Sequence, residues 1–299
     1  MSRVVAVGGG HGLSRTLLAL RDMDDVEVTA VVTVADDGGS SGRLRRDFGV
    51  IPPGDMRKAL ASLTPDERWA DWLEFRFGRG DLAGHAVGNL MMVSLAAVLD
   101  GDLQGALDAL GGLVGARGRV IPATLESVNL VSQGARGMTF GQVTIARTTG
   151  HTRVRLDPGQ PEATPAAVEA ILAADLVVLG PGSLFTSILP NIVVPGIADA
   201  VSATPGQVAL IGNLREQPGE TEGLDLAGHL DVLAAHLPAR KVDVLIAHDG
   251  PTPRGPGRTL EPVAAHDHVV RVETVDLLDG RDGHDPERVA AALRGLLGP

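Results

Sequence analysis

The sequence predicts an α/β protein of the Rossmann-like three-layer kind, with helices on both faces of a mainly parallel sheet and a small β extension. Three observations predict it. Short apolar runs rich in Val, Ile and Leu recur at Val4–Val7, Val26–Val34, Leu176–Leu179, Val208–Ile211 and Val242–Ala247. Runs that are apolar on both alternating faces suit strands buried on both sides. Helical patterns lie between them, at Ser14–Arg21, Pro165–Ala174 and Leu224–His236, and this alternation builds parallel sheets through right-handed crossovers. Glycine-rich segments directly follow several of the strands, on the side where open α/β sheets bind ligands.

Taken in order, Val4–Val7 is the first strand and Val26–Val34 the second. The middle of the chain is less regular. Pro65–Phe77 reads as a helix with Trp69, Trp72 and Leu73 on one stripe, and Val87–Leu99 and Leu103–Val114 as two more, Leu90–Leu99 being a core helix. Ser127–Ser132, Gln142–Thr148 and Thr152–Leu156 read as β-structure, giving a β insertion at about 120–157 within a single domain of 1–299. Val168, Ile171 and Leu172 share one face of the helix before Leu176–Leu179. Thr252–Arg258 is a Pro/Gly-rich exposed loop, and Pro286–Leu297 an amphipathic closing helix with Val289, Leu293 and Leu296 inward.

Composition excludes several functions. The chain has 299 residues, a net charge of −11 and no cysteine. Disulfides, thiolate nucleophiles and thiolate metal sites are therefore absent. The negative balance argues against broad binding to nucleic acid or anionic membrane. Aromatics are 2% with no Tyr, so base-stacking platforms are not expected. Arg3 is followed by too short an apolar run for a signal peptide, and no stretch approaches the roughly 20 apolar residues of a membrane helix. The expectation is a cytoplasmic protein with no membrane span.

Six segments carry candidate chemistry. Gly8-Gly9-Gly10-His11-Gly12 follows strand one and opens a helix, whose N-terminal N–H groups and dipole suit a phosphate. It lacks the sixth-position glycine of the dinucleotide fingerprint, which counts against NAD(P), and no Gly-Lys-Ser/Thr of a P-loop occurs. A tight turn without ligand is the plainer alternative. Asp36-Asp37-Gly38-Gly39-Ser40-Ser41-Gly42-Arg43 sits where strand two ends. Its carboxylates would accept hydroxyls or hold a cation, Ser40 or Ser41 would cap a helix or donate to phosphate, and Arg43 would neutralise a phosphoryl charge. In Pro52–Lys58, Asp55 reads equally as a helix cap. Gly84–Leu90 places Asn89 at a helix start, to read a base or sugar or simply to cap.

The fifth segment, Leu179–Ser187, again ends a strand. Gly180 and Gly182 expose N–H groups, while Ser183, Thr186 and Ser187 supply hydroxyls, a second phosphate cradle. Together with the first loop it would straddle a diphosphate at a switch point of the sheet. The sixth, Gly212–Thr221 with Asn213, is placed to close over the ligand. His248-Asp249 and His266-Asp267-His268 have no zinc spacing, and no G-x-S-x-G elbow occurs. No metal site is assigned.

With these segments in order the chain resembles the YvcK-type gluconeogenesis factor family, also called UPF0052, within the CofD-like superfamily. The motifs that carry the resemblance are VTVADDGGSSGRLR from Val32 to Arg45, PPGDMRKAL from Pro52 to Leu60, GHAVGNL from Gly84, VIPATLESV from Val120, LGPGSLFTSILPN from Leu179 and QPGETEG from Gln217. The resemblance implies a Rossmann-related fold, usually dimeric. It also implies a UDP-sugar ligand such as UDP-N-acetylglucosamine, links to gluconeogenic growth, cell shape and peptidoglycan supply, and a regulatory protein partner. No reaction is assigned to that branch, so catalytic residues are unknown. The looser CofD relatives transfer a phospholactyl-type group from a nucleoside-diphosphate adduct to a deazaflavin with Mg²⁺, and under that alternative Asp36 and Asp37 would hold the metal. The binding set under the first reading is Gly9, Gly10, His11, Gly12, Asp36 and Asp37, then Ser40, Ser41 and Asn89, then Gly180, Gly182, Ser183, Thr186 and Asn213. His11 stands where the family often has Thr.

Overall fold

A computed structural model describes residues 1–135, 137–237, 239–253 and 255–298. The first half of the chain runs β1 (Ser2–Gly8), α1 (Gly10–Arg21), β2 (Val26–Val32), α2 (Gly39–Phe48), α3 (Gly54–Leu63), α4 (Glu67–Glu74), α5 (Val87–Val98), α6 (Leu103–Val114) and β3 (Arg119–Pro122). A small lobe follows, made of β4 (Asn129–Gly134), β5 (Gly137–Phe140), α7 (Gln142–Ile145) and β6 (His151–Asp157). The second half begins with α8 (Pro165–Ala173) and β7 (Leu176–Leu179). A π-helical turn over Leu184–Ile188 then leads into α9 (Leu189–Ile192), α10 (Pro195–Ala203) and β8 (Gln207–Ile211). The chain closes with α11 (Leu226–His236), β9 (Val242–His248), β10 (Val269–Val275) and α12 (Pro286–Leu297).

Seven strands form one parallel sheet in the order β10-β9-β8-β7-β1-β2-β3. The chain builds outward from β1 to β3 on one side, then returns to β7 and builds outward to β10 on the other. The strand order therefore reverses between β1 and β7. Their last residues lie side by side, with Val7 opposite Leu179 and Gly8 opposite Val32 of β2. The loops leaving β1, β2 and β7 start from one stretch of the sheet's carboxyl edge, the place where such sheets open a crevice.

Both faces of the sheet are buried, as the unbroken apolar runs require. On one face α1 packs Leu13, Leu17 and Leu20 beside Met56 and Leu60 of α3 and Val289 and Leu293 of α12. Each fully buried leucine contributes roughly 2 kcal/mol of hydrophobic stabilisation. On the other face lie Ile171 of α8, Ile197 of α10 and Leu230 of α11, with Leu130 and Val154 of the small lobe.

The differences from the sequence expectations are local. Gln142–Thr148 is not a strand: α7 covers Gln142–Ile145, and β5 supplies the third strand of the antiparallel sheet β5-β4-β6. The Gly141 turn and the bond from Val143 N–H to Asp37 override the β-branched composition there. The β extension starts after β3, because Arg119–Pro122 pairs with β2 in the main sheet. Leu172 is 41% exposed and Trp69 39%, so neither shares the buried stripe of its neighbours. The end of α5 is also open, with Val98 at 78%, so Leu90–Leu99 is only partly a core helix. In Thr252–Arg258, position 254 lies outside the described residues.

Candidate functional site

The loops leaving β1 and β7 touch. A Cβ on Gly12 would stand 2.2 Å from the Pro181 carbonyl oxygen and 2.5 Å from the Gly182 Cα. Only glycine permits this backbone-to-backbone approach. The contact leaves no room for a ligand between the two loops, so a ligand shared by them lies along their common rim. Gly10 starts α1 at φ +63° and the helix has no side-chain cap. Its first N–H groups, on Gly10, His11 and Gly12, are thus free of intrahelical partners and border a cavity of about 470 Å³.

That cavity collects residues far apart in sequence. Gly9 to Gly12 form one wall, and Gly182, Ser183 and Thr186 another. The segment after β8 supplies Asn213, Arg215 and Gln217. Asp36, Asp55 and Lys58 form a third side, and Asp282 and His284 reach in from the turn before α12.

Side-chain bonds fix the loop after β7. Asn213 grips Gly182 twice: its Oδ1 accepts from Gly182 N–H at 3.1 Å, and its Nδ2 donates to the Gly182 carbonyl at 2.9 Å. Gln217 Nε2 donates to Ser183 Oγ at 2.9 Å. Buried Glu220 accepts from the N–H groups of Phe185 at 2.9 Å and Thr186 at 3.2 Å, and from Thr186 Oγ1 at 3.1 Å. Burial raises the Glu220 pKa. The start of the π-helical turn is therefore already occupied by the protein's own carboxylate. The N-terminal turn of α1 carries no such plug.

Charge in the cavity is divided. Lys58 Nζ donates to Asp55 Oδ1 at 3.0 Å, while Asp55 Oδ2 is buried with no partner. Asp36 Oδ1 accepts from Gly38 N–H at 2.9 Å. Burial, reinforced by the neighbouring Asp55 charge, raises the Asp36 pKa. Arg215 anchors Nη1 on the Gly257 carbonyl at 3.0 Å and leaves Nε and Nη2 buried without partners. His11 is held below its usual pKa by burial and by Lys58. His284 is pushed down to about 4 by burial, with Nε2 at 3.0 Å from the Gly212 carbonyl.

A second cavity of about 580 Å³ adjoins the first, and Asp36 and Lys58 line both. Ser40, Ser41 and Asn89 line this second space rather than the first. Asn89 Nδ2 donates to Ser40 Oγ at 3.1 Å, and Ser40 Oγ lies 3.0 Å from His85 Nδ1. Ser40 thus accepts from Asn89 and shares a hydrogen bond with His85, whose pKa is lowered by burial and by Arg43.

Of the residues singled out in sequence, Gly9 to Gly12, Asp36, Gly182, Ser183, Thr186 and Asn213 meet in the first cavity. Asp37 and Gly180 line neither cavity. Asp37 Oδ1 accepts from Val143 N–H at 2.9 Å and ties α7 to the main sheet. The Gly180 carbonyl takes the Thr16 hydroxyl at 2.7 Å. Asp55 and Lys58 lay in a candidate segment in which Asp55 read equally as a helix cap, and Arg215 lay in the segment after β8 placed to close over the ligand, without a role of its own. Asp282 and His284 left no signal at all.

A parallel α/β sheet with a glycine-walled crevice at its switch point defines a class of ligand-binding proteins. Within that class the chain belongs to the CofD family: residues 4–279 match the model described as 2-phospho-L-lactate transferase CofD. A Mycobacterium tuberculosis relative whose name includes "gluconeogenesis factor" is 47% identical over 312 residues, covering 98% of this chain and 90% of its own. The "Gluconeogenesis factor" of Listeria monocytogenes is 38% identical over 312 residues, covering 99% and 95%. The crystal structure of a UPF0052 family member from Bacillus halodurans is similar at a TM-score of 0.90 with 33% identity, over 98% of this chain and 99% of that one.

Proposed function

We propose that the chain is a regulatory protein that binds a nucleoside-diphosphate sugar of the UDP-N-acetylglucosamine kind in the first cavity. The diphosphate lies along the rim formed by Gly10–Gly12 and Gly182–Ser183. One observation carries this reading: the uncapped first turn of α1 faces the same space as Arg215, whose Nε and Nη2 are buried and unpartnered. Peptide N–H groups at a helix start and an unsatisfied guanidinium are a matched pair of anion donors. Asp36 and Asp55 supply acceptors for sugar hydroxyls. The gluconeogenesis-factor names of the relatives fit a role in carbon metabolism, and cell shape and peptidoglycan supply belong to the same reading. Ligand binding stabilises one state of the protein, which a partner or a second copy of the chain reads. Calorimetric titration with UDP-N-acetylglucosamine, GDP and NAD tests it. The UDP-sugar binds and NAD does not; equal or absent binding of all three contradicts the proposal.

A second reading is favoured by the carboxylate pair. The unpartnered Asp55 Oδ2 beside Asp36 fits a divalent cation, and these two, not Asp36 with Asp37, are the residues that would hold it. Among the described residues no group of three such ligands occurs. Bound Mg²⁺ would stabilise charge on a phosphoryl group. Under this reading the chain is a CofD-like transferase in which an acceptor hydroxyl displaces a nucleoside monophosphate from a diphosphate adduct. Release of the monophosphate on incubation with adduct, deazaflavin and Mg²⁺ identifies it; no release leaves the binder.

A further inference from the structure

The second cavity holds an excess of donors that its own hydrogen bonds do not use. Arg57 is 1% exposed, yet its Nε and Nη1 have no partner; only Nη2 is engaged, on Glu74 at 3.0 Å. Arg43 and Arg76 line the same cavity. Arg43 Nη2 donates to the Ala83 carbonyl at 2.8 Å, and Arg76 Nη1 to the Gly84 carbonyl at 3.0 Å. The turn before α5 thus holds both guanidinium groups toward the cavity they line. Lys58 closes the side shared with the first cavity.

Three helices also begin there. The cavity is lined by Gly39, Ser40 and Ser41 at the start of α2, Gly54 at the start of α3, and Asn89 in the first turn of α5. None of the three helices has a side-chain cap. Their first-turn N–H groups and dipoles add positive potential to the four cationic side chains. Asp36 is the single carboxylate among the lining residues. Glu74 pairs with Arg57 and Asp55 with Lys58, which leaves Arg43 and Arg76 bonded only to carbonyls, with no carboxylate partner among the described residues. A buried guanidinium with two nitrogens left without partners is costly.

We propose that this second cavity is a separate phosphate-monoester site, in which Arg43 and Arg76 hold the phosphoryl oxygens, the buried Arg57 adds positive potential from behind them, and the start of α2 supplies further donors. A phosphoryl group fits better than a carboxylate. Its three free oxygens can meet donors arriving from several directions, and its charge at neutral pH is near −2. Asn89, whose Oδ1 is buried and unpartnered, lines the same space. The site does not rest on the reading of the first cavity; it shares only the Lys58–Asp36 wall with it.

Calorimetric titration of the wild-type chain with inorganic phosphate, compared with Arg43→Gln, Arg76→Gln and Arg215→Gln, tests the assignment. Arg76 is exposed, so that variant tests binding without threatening the fold. Phosphate affinity falls at least about tenfold in Arg43→Gln, the loss of one charge-assisted bond. It falls several-fold in Arg76→Gln and holds in Arg215→Gln. UDP-N-acetylglucosamine on the same four proteins gives the reverse pattern. The proposal is overturned if the wild type does not bind phosphate, if neither Arg43→Gln nor Arg76→Gln weakens it, if acetate binds as tightly, or if Arg43→Gln loses the UDP-sugar as well. A UDP-sugar that binds none of the four refutes the first-cavity reading and leaves the phosphate result standing.

Discussion

Arg215 and Gly12 are the single residues on which the first cavity turns. Arg215 has one guanidinium nitrogen anchored to the backbone and two left idle in a buried place, a state that an anionic ligand relieves. Arg215→Gln lowers UDP-sugar affinity at least about tenfold, the value of one hydrogen bond to a charged group. Calorimetry reads it, with circular dichroism showing an unchanged fold. Gly12 acts on the scaffold. A methyl group at this position meets the Pro181 carbonyl at 2.2 Å, so Gly12→Ala costs about 2–3 kcal/mol of stability, as overpacking of backbone against backbone does. A urea unfolding curve measures it. At this scale the sequence was readable where chemistry and backbone demand coincide. Gly9 to Gly12 and Gly182 stand out because a strand end seldom carries glycine this dense unless the backbone must come close to something there. Asp37 was misleading: beside Asp36 it looks like half of a ligand pair, but one residue further along an extended segment points elsewhere, toward Val143.

At the scale of elements, the small antiparallel sheet is tied to the site through that same residue. Asp37 Oδ1 receives the N–H of Val143 in α7, and Gln142 of α7 borders the first cavity. Asp37→Ala removes an acceptor from a part-buried N–H and costs about 1–2 kcal/mol. The loss shows as faster amide exchange across α7 and β5 with little change in β1 or β7. Leu176–Leu179 was legible to the residue and the other strands buried on both faces to within two residues at either end, because short aliphatic runs bounded by glycine turns suit a central strand. β3, β5 and β10 were not. Their short or mixed sequences become strands only through a neighbour to pair with: β2 for β3, β4 for β5 and β9 for β10. α6 and α12 were readable in extent, each opened by an aspartate cap. α12 begins after Asp285, which accepts from the N–H groups of Glu287 and Arg288.

The whole molecule accounts for the convergence of distant loops. The reversal of strand order between β1 and β7 puts the ends of two strands separated by some 170 residues of chain side by side, which a linear pattern hints at only through repeated strand-then-glycine punctuation. It also makes the site part of the fold's stability. His284 reaches the cavity from the last turn of the chain and is bonded to Gly212 after β8. Its pKa falls from the ordinary 6.5 to about 4 in the folded state because burial disfavours the charged ring. Above pH 6.5 the ring is neutral in both states and the contribution is fully present. As pH falls from 6.5 toward 4 the unfolded chain takes up a proton that the folded chain refuses, so stability declines by about 3 kcal/mol over that window. Denaturation midpoints measured between pH 7 and 4 read this slope, and His284→Asn flattens it.

The account rests on a diphosphate seated on the uncapped turn of α1, and a crystal structure of the chain with UDP-N-acetylglucosamine tests that most directly. Difference density is expected to place both phosphates against the Gly10–Gly12 N–H groups with an oxygen on Arg215, and the sugar toward Asp36 and Asp55. Density for the diphosphate among Arg43, Arg57 and Arg76 instead, or none in either cavity at saturating ligand, would contradict it.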